Sequence, residues 1–237
     1  MKKNFYIIRH AEGLHQTDST SWDKYGDKEI PLTHKGIKQS QETGAFLKQE
    51  LDPKKTVIIS SDFERAEQTA EEIANVSGIS NSQKSTLLRE QNFGLFTGVS
   101  TLQCYVKYPL EAKRFDVDSR KYGRYHVKSP QGESRADVVE RVEDFFEKIN
   151  DNVIENDNVE NVVIVSHGVV SKAIAKILLK EDENWFNQQG DIENASVRSF
   201  SYQDGKYVDN GYIFTPVQKS ANTKIISKIQ DYSLRRA

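Results

Sequence analysis

The chain has 237 residues, 29% charged and 36% apolar, with 33 basic against 35 acidic side chains for a formal charge of −2. That length suits one α/β domain, or two small ones, and is enough to bury a core. The near-neutral balance lacks the basic excess that nucleic acid or a membrane surface demands, so neither is expected as a partner, although it is compatible with a local basic pocket.

The single cysteine, Cys104, allows no disulfide framework within the chain and reads as a small buried hydrophobe. The opening residues MKKNFYIIRH hold an apolar run of about four, short of the roughly 7–15 of a signal-peptide core. No stretch approaches the roughly 18 apolar residues that cross a bilayer. A cytoplasmic protein is expected.

In chain order, residues 4–9 read as a β-branched and aromatic strand. Residues 32–51 read as a helix with Thr33 as N-cap and Ile37, Gly44, Ala45 and Leu47 on its apolar side; Pro53 closes the unit. TVIIS (56–60) is apolar throughout and predicts a buried strand. A second helix follows over 61–78, capped by Ser61 or Asp62 and stopped near Gly78. STLLRE (85–90) reads as a short third strand. The stretch 91–132 carries Gly94, Gly98, Pro109, Gly123 and Pro130 among many aromatics, and reads as an irregular lid or binding insertion. Residues 133–151 predict an amphipathic helix with Val138, Val142, Phe145, Phe146 and Ile149 on one side. NVVIVSHG (161–168) is a buried strand, 169–180 the next helix, and 195–214 a hairpin turning at Asp204-Gly205. A polar tail follows from about residue 216.

Strands that alternate with helices and are apolar throughout predict a three-layer α/β/α sandwich with a mostly parallel central sheet. The closing hairpin adds an antiparallel edge. Ligands of such sheets bind beyond the carboxyl ends of the strands. Those ends offer Arg9-His10, Arg65 early in the next helix, Glu90, and His167-Gly168. Each alone has a plain structural reading; together they form a compact cationic pocket. Guanidinium groups pair with phosphate oxygens. The Gly168 N–H lies at a helix start, where an anion is stabilised. A neutral imidazole can attack phosphorus, and a carboxylic acid can protonate the leaving oxygen before activating water as its carboxylate. A metal site on His10, His15 and His167 is disfavoured by the two arginines beside it, so no metal and no cofactor are expected.

At these residues the chain resembles the histidine phosphatase (phosphoglycerate mutase-like) superfamily. The carriers are RHAEGLHQ (9–16) for the family's Arg-His-Gly element, LTHKGIKQSQ (32–41), SDFERAEQT (61–69), LREQNFGLFTG (88–98), PQGES (130–134) and VSHG (165–168). Its look is nearest to small fungal and plant phosphatases of that superfamily. The resemblance implies His10 as the phosphorylated nucleophile, Arg9, Arg65 and His167 as holders of the phosphoryl group, Glu90 as proton donor, and a small phosphorylated substrate. Three positions depart from the pattern. Ala11 stands for the usual Gly, Asp62 for the usual Pro, and Gln16 for an Asn that would contact phosphate. The middle segment has Lys113-Arg114, Arg120, Lys121 and Arg124 but no Pro run of the mutase kind, which favours a phosphatase over a phosphoglycerate mutase. A catalytically weak phospho-ligand binder is the third reading.

Overall fold

The computed structural model describes residues 3–217, so the expected tail lies outside the described residues from 218 onward. The chain begins with strand β1 (Asn4–Arg9), a short helix α1 (Ser21–Tyr25) and helix α2 (His34–Glu50). Strand β2 (Thr56–Ser61), helix α3 (Glu64–Ser77) and strand β3 (Ser82–Ser85) follow. Helices α4 (Thr101–Lys107), α5 (Pro109–Tyr122) and α6 (Arg135–Ile149) lead to strand β4 (Asn161–Ser166). Helices α7 (Gly168–Leu179) and α8 (Glu183–Gln188) precede the hairpin of β5 (Val197–Gln203) and β6 (Lys206–Phe214).

The six strands lie in the order β3-β2-β4-β1-β5-β6. β1, β2, β3 and β4 pair in parallel; β5 and β6 form the antiparallel edge. The period-two geometry of a strand sends alternate side chains to opposite faces. Phe5, Ile7, Val57, Ile59, Val162 and Ile164 pack against the α6–α7 side with Val138, Val142, Phe145 and Ile174. Ile8, Ile58, Val163 and Val165 pack against the α2–α3 side with Leu47, Ala66, Ala70 and Ile73. β2 and β4 are buried at every residue because helices cover both faces. Among the described residues no helix is long and apolar enough to cross a membrane.

Thr33 caps α2 as expected, its side chain accepting from the Gly36 N–H. Gly78 ends α3 in the left-handed region, at φ 80°. The hairpin turns at Asp204 and Gly205, both at positive φ.

Three local expectations fail, and two short helices go unread. The strand expected at 85–90 lies earlier, at Ser82–Ser85, because those residues pair with β2; a 3-10 turn over Thr86–Leu88 then carries Leu88 into the core. The cap of α3 is Phe63 rather than Ser61 or Asp62. Ser61 stays in β2, and Asp62 receives a forked pair of hydrogen bonds from Arg89 at 2.7 and 2.5 Å. The segment 91–132 is more regular than expected: α4 and α5 fill 101–107 and 109–122, with Pro109 opening α5 and Gly123 closing it, while Gly98 and Pro130 lie in turns between elements. The short helices α1 and α8, of five and six residues, have too few turns to show a period in sequence.

α2 and α3 approach closely at Gly44, where a Cβ would lie 2.9 Å from Val76 Cβ and 3.1 Å from the Ile73 backbone. Gly44→Val therefore lowers unfolding free energy by about 1–3 kcal/mol through overpacking, read from a denaturant midpoint; an unchanged midpoint would refute this packing.

Candidate active site

β1 and β4 pair in register from Asn4↔Asn161 to Arg9↔Ser166. The next residues, His10 and His167, therefore leave the sheet side by side. The His10 N–H donates to the Ser166 carbonyl at 2.7 Å, and the two rings lie 5.2 Å apart. On the other side of β4, β2 ends at Ser61, whose hydroxyl is 2.9 Å from His167 Nε2. Arg65 enters from the first turn of α3 and is 2% exposed. Glu90 arrives after the 3-10 turn rather than at a strand end, and its carboxylate accepts from Gln91 N at 2.9 Å and Val169 N at 3.4 Å. The structure thus gathers Arg9, His10, Arg65, Glu90, His167 and Gly168 at one edge of the sheet.

The loop after His10 is braced by the start of α2. Glu12 N donates to Gln39 Oε1 at 2.9 Å, while Thr33 N donates to the Glu12 carbonyl at 2.9 Å. The Glu12 carboxylate accepts from Thr33 Oγ1 at 2.9 Å and Lys35 Nζ at 2.7 Å. Gly36 lets this loop pass, since a Cβ there would sit 2.2 Å from the Glu12 carbonyl oxygen. The Leu-Thr-x-x-Gly-x-x-Gln pattern of 32–39 is therefore a cradle for the histidine loop. Ala11, in the usual Gly position, is fully buried, with its N–H donating to Thr69 Oγ1 at 3.0 Å.

Glu90 is braced in a comparable way. The Arg141 guanidinium donates to the Leu87 carbonyl at 2.7 Å, the Glu90 carbonyl at 3.2 Å and the Glu133 carboxylate at 2.9 Å. Glu133 N in turn donates to the Asn92 carbonyl at 2.7 Å. Gly94 and Gly132 let these two segments touch: a Cβ on either would lie 2.0 to 2.2 Å from the opposing backbone oxygen. The Gly-Glu-Ser run thus fixes the backbone that carries Glu90.

His10 Nδ1 is 2.7 Å from the Ala11 carbonyl. A carbonyl only accepts, so Nδ1 carries the proton and Nε2 keeps its lone pair. Burial, then the Arg65 and Arg9 guanidiniums, hold this ring well below the usual imidazole pKa. The same causes, with His10 itself among the neighbours, lower His167. Burial also raises the Glu90 carboxyl, against the pull of the Gln91 N–H and Arg65. His15, packed on Trp22 at 5.1 Å, is pushed down to about 4 by burial and the two arginines. Neutral imidazoles beside a carboxyl biased towards its acid form are the protonation states of a nucleophile and a proton donor.

The two arginines are held but not saturated. Arg65 donates to the Asp27 carbonyl at 2.6 Å and pairs with its carboxylate at 3.0 Å; Arg9 donates to the Ile192 carbonyl at 2.5 Å. Among the described residues both Nε–H groups are buried without a partner, an arrangement suited to an anion. Gln16 is occupied differently. Its amide exchanges hydrogen bonds with Asn194 at 2.9 and 3.1 Å and accepts from Gly13 N at 3.0 Å. Asn194 also donates to the His10 carbonyl at 2.8 Å. Asn194, Asp27, Thr69 and Ser61 complete the support of the site. No sequence pattern marks Asn194 or Asp27, which come from loops distant along the chain. Among the described residues no group of three or more His, Cys, Asp or Glu is placed to hold a metal ion.

A cavity of about 660 Å³ adjoins the site through His15, Gln91 and Val169, the last two being chain neighbours of Glu90 and Gly168. Residues of α4 and α5 line it as well, and Trp22, Phe93, Phe96 and Phe115 make it partly aromatic.

Residues 5–211 match the family model of the histidine phosphatase superfamily (branch 1). A phosphoglycerate mutase-like protein of Arabidopsis thaliana, AT74, is 28% identical over 86% of this chain and 66% of its own length. This chain thus spans about two thirds of that relative. A probable phosphoglycerate mutase of Escherichia fergusonii, GpmB, is 27% identical over 88% of this chain and 89% of its own. In three dimensions the α-ribazole phosphatase of Shigella flexneri superposes with a TM-score of 0.73 at 18% identity, covering 92% of this chain and 99% of its own. The fold is therefore phosphoglycerate mutase-like, and with a family match over nearly its whole described length this chain belongs to the histidine phosphatase superfamily.

Proposed function

We propose that the protein hydrolyses phosphomonoesters through a phosphohistidine on His10. The observation that carries this reading is the His10–Ala11 hydrogen bond, which leaves Nε2 unprotonated in a buried cationic pocket. In the first step Nε2 attacks phosphorus, the ester P–O bond breaks, and Glu90 gives its proton to the leaving oxygen. Arg9, Arg65, His167 and the Gly168 N–H meet the equatorial oxygens. In the second step the Glu90 carboxylate takes a proton from water, the water oxygen bonds phosphorus, and the P–N bond breaks to release phosphate and neutral His10. Gln16, tied to Asn194, acts on phosphate through the shape of the loop it braces. None of these steps draws on a metal or a cofactor, and a cytoplasmic, single-domain protein with 91–132 as its substrate lid fits this reading.

Return of the phosphoryl group to a second hydroxyl, as a mutase does, is the other reading, and it rests on the mutase names of the relatives. The position of Arg114 favours hydrolysis. Its side chain is 86% exposed, pairs with Asp118, and lines a separate cavity rather than the one that adjoins the site.

Phosphate release from p-nitrophenyl phosphate across about pH 4–8, with wild type beside His10→Ala, tests the proposal. Release is expected to depend on His10, and residual turnover above roughly a tenth of wild type would overturn the nucleophile. A 3-phosphoglycerate isomerisation assay separates the mutase.

The His10 ring should stay neutral, with its proton on Nδ1, at and below the pH where an ordinary imidazole takes up a proton. Nitrogen-15 spectra of the histidine side chains read this directly. Arg65→Gln raises the His10 pKa, because it removes a positive charge that disfavours the imidazolium.

Glu90 has a raised pKa and acts protonated, so turnover of an alkyl phosphate falls as pH rises through that value. His10 has a lowered pKa and acts neutral, so the acid limb begins only at its low value. Glu90→Gln should abolish the alkaline limb and slow an alkyl phosphate by about 10²–10⁴-fold, but p-nitrophenyl phosphate much less. Equal losses on both esters would refute the acid role.

A further inference from the structure

Helices α4 and α5 each pack on the molecule through one side. Cys104 of α4 and Ala112 of α5 are buried, and both line the cavity beside the site together with Phe115. A helix turns by about 100° per residue, so residues on the far side of each helix point away from that cavity. On α4 these are Leu102 and Val106, two positions either side of Cys104 and 77% and 75% exposed. On α5 they are Leu110, Lys113, Arg114, Val117, Arg120 and Lys121, all exposed. Steps of three and four keep that run on one face. Leu110 is 79% exposed and Val117 54%. The Tyr105 hydroxyl of α4 donates to the Asp116 carboxylate of α5, so the two outward faces adjoin.

The outward face of α5 carries cations and no acid. Its acids, Glu111, Asp116 and Asp118, stand on the flanks and are only partly exposed. Asp118 pairs with Arg114 at 3.6 Å, and Asp116 is held by Tyr105. Among the described residues Lys113, Arg120 and Lys121 have no ion pair. The near-neutral balance of the whole chain conceals this local excess.

The chemistry of the face selects its partner. Nucleic acid would answer the cations but leave Leu102, Val106 and Leu110 in water, because phosphate contacts take charged and polar groups. The core of a protein interface is depleted in lysine and enriched in aromatic residues, whereas lysines stand in the middle of this face and Tyr105 and Tyr122 at its edges. A bilayer surface answers both halves: anionic headgroups meet the cations, and the aliphatic side chains reach the acyl boundary.

We propose that the outward face of α4 and α5 docks on an anionic lipid surface, with the two helices lying in the plane of the headgroups. The protein rests on the membrane and does not cross it. The docking is independent of the reaction proposed for His10.

Cosedimentation with phosphatidylcholine vesicles, with and without about one third phosphatidylserine, tests this. The wild-type protein should bind the anionic vesicles about fivefold more than the neutral ones, and about 0.5 M salt should remove most of that difference. Lys113→Gln/Arg114→Gln/Arg120→Gln/Lys121→Gln should abolish the preference. Val106→Ser/Leu110→Ser, which leaves the charge alone, should lower binding by about threefold or more. A charge-matched control, Lys38→Gln/Lys48→Gln/Lys54→Gln/Lys148→Gln, removes four exposed lysines from other elements and should bind as wild type does. Thermal unfolding by circular dichroism verifies that each variant is folded. Equal binding to both vesicles, binding that survives either substitution of the face, or an equal loss in the control overturns the proposal. A wild-type dimer that the four-cation variant dissociates, without any vesicle preference, gives the face to a second copy instead. Retention of a single-stranded RNA oligomer without vesicle binding gives it to nucleic acid, and either result overturns the lipid.

Discussion

Everything at this site depends on the register of one strand pair. β1 and β4 are parallel neighbours in the centre of the sheet, and Arg9 lies opposite Ser166. Their continuations then place two imidazoles within van der Waals range at the same edge. A slip of one residue would turn a strand's side chains to the opposite faces. His10 and His167 would separate, and Phe5 and Ile7 would leave the core they share with α6 and α7. The packing that stabilises the sheet and the geometry that pairs the histidines are thus one constraint, because the apolar side chains of both strands fill separate cores on the two faces of the sheet.

The second theme is desolvation. Placing two guanidiniums beside two imidazoles in a dry pocket is unfavourable unless something answers the charge. Asp27 answers part of Arg65, and backbone carbonyls answer part of Arg9. Burial first, and then the uncompensated guanidinium charge, depresses the histidine pKa values. That same charge, with the open guanidinium N–H groups, suits the pocket to an anion.

The parts legible in sequence were those with a period or a cap. The continuous apolar runs of β1, β2 and β4, the Thr33 cap, the Gly78 stop and the Asp204-Gly205 turn follow from local rules. The residues gathered at the sheet edge were legible because the topology of a parallel sheet names its own ligand edge. Less legible were contacts that exist only after folding. Asn194 reaches His10 from 184 residues away, and no local pattern announces that. The 85–90 expectation failed because Leu87 and Leu88 look like strand residues, while tertiary packing draws Leu88 inward through a turn. The helices of the middle segment are less legible because Pro109 and Gly123 mark the ends of α5 there, not the absence of helices.

Those boundaries have a further meaning. Gly98 and Gly123 flank α4 and α5, both at positive φ, and the two helices line the cavity beside the site without adding a strand to the sheet. No strand runs through this segment, so the β1–β4 pairing that sets the two histidines side by side is built without it, and a change of side chain in α4 or α5 alters the wall of the cavity while leaving that pairing alone.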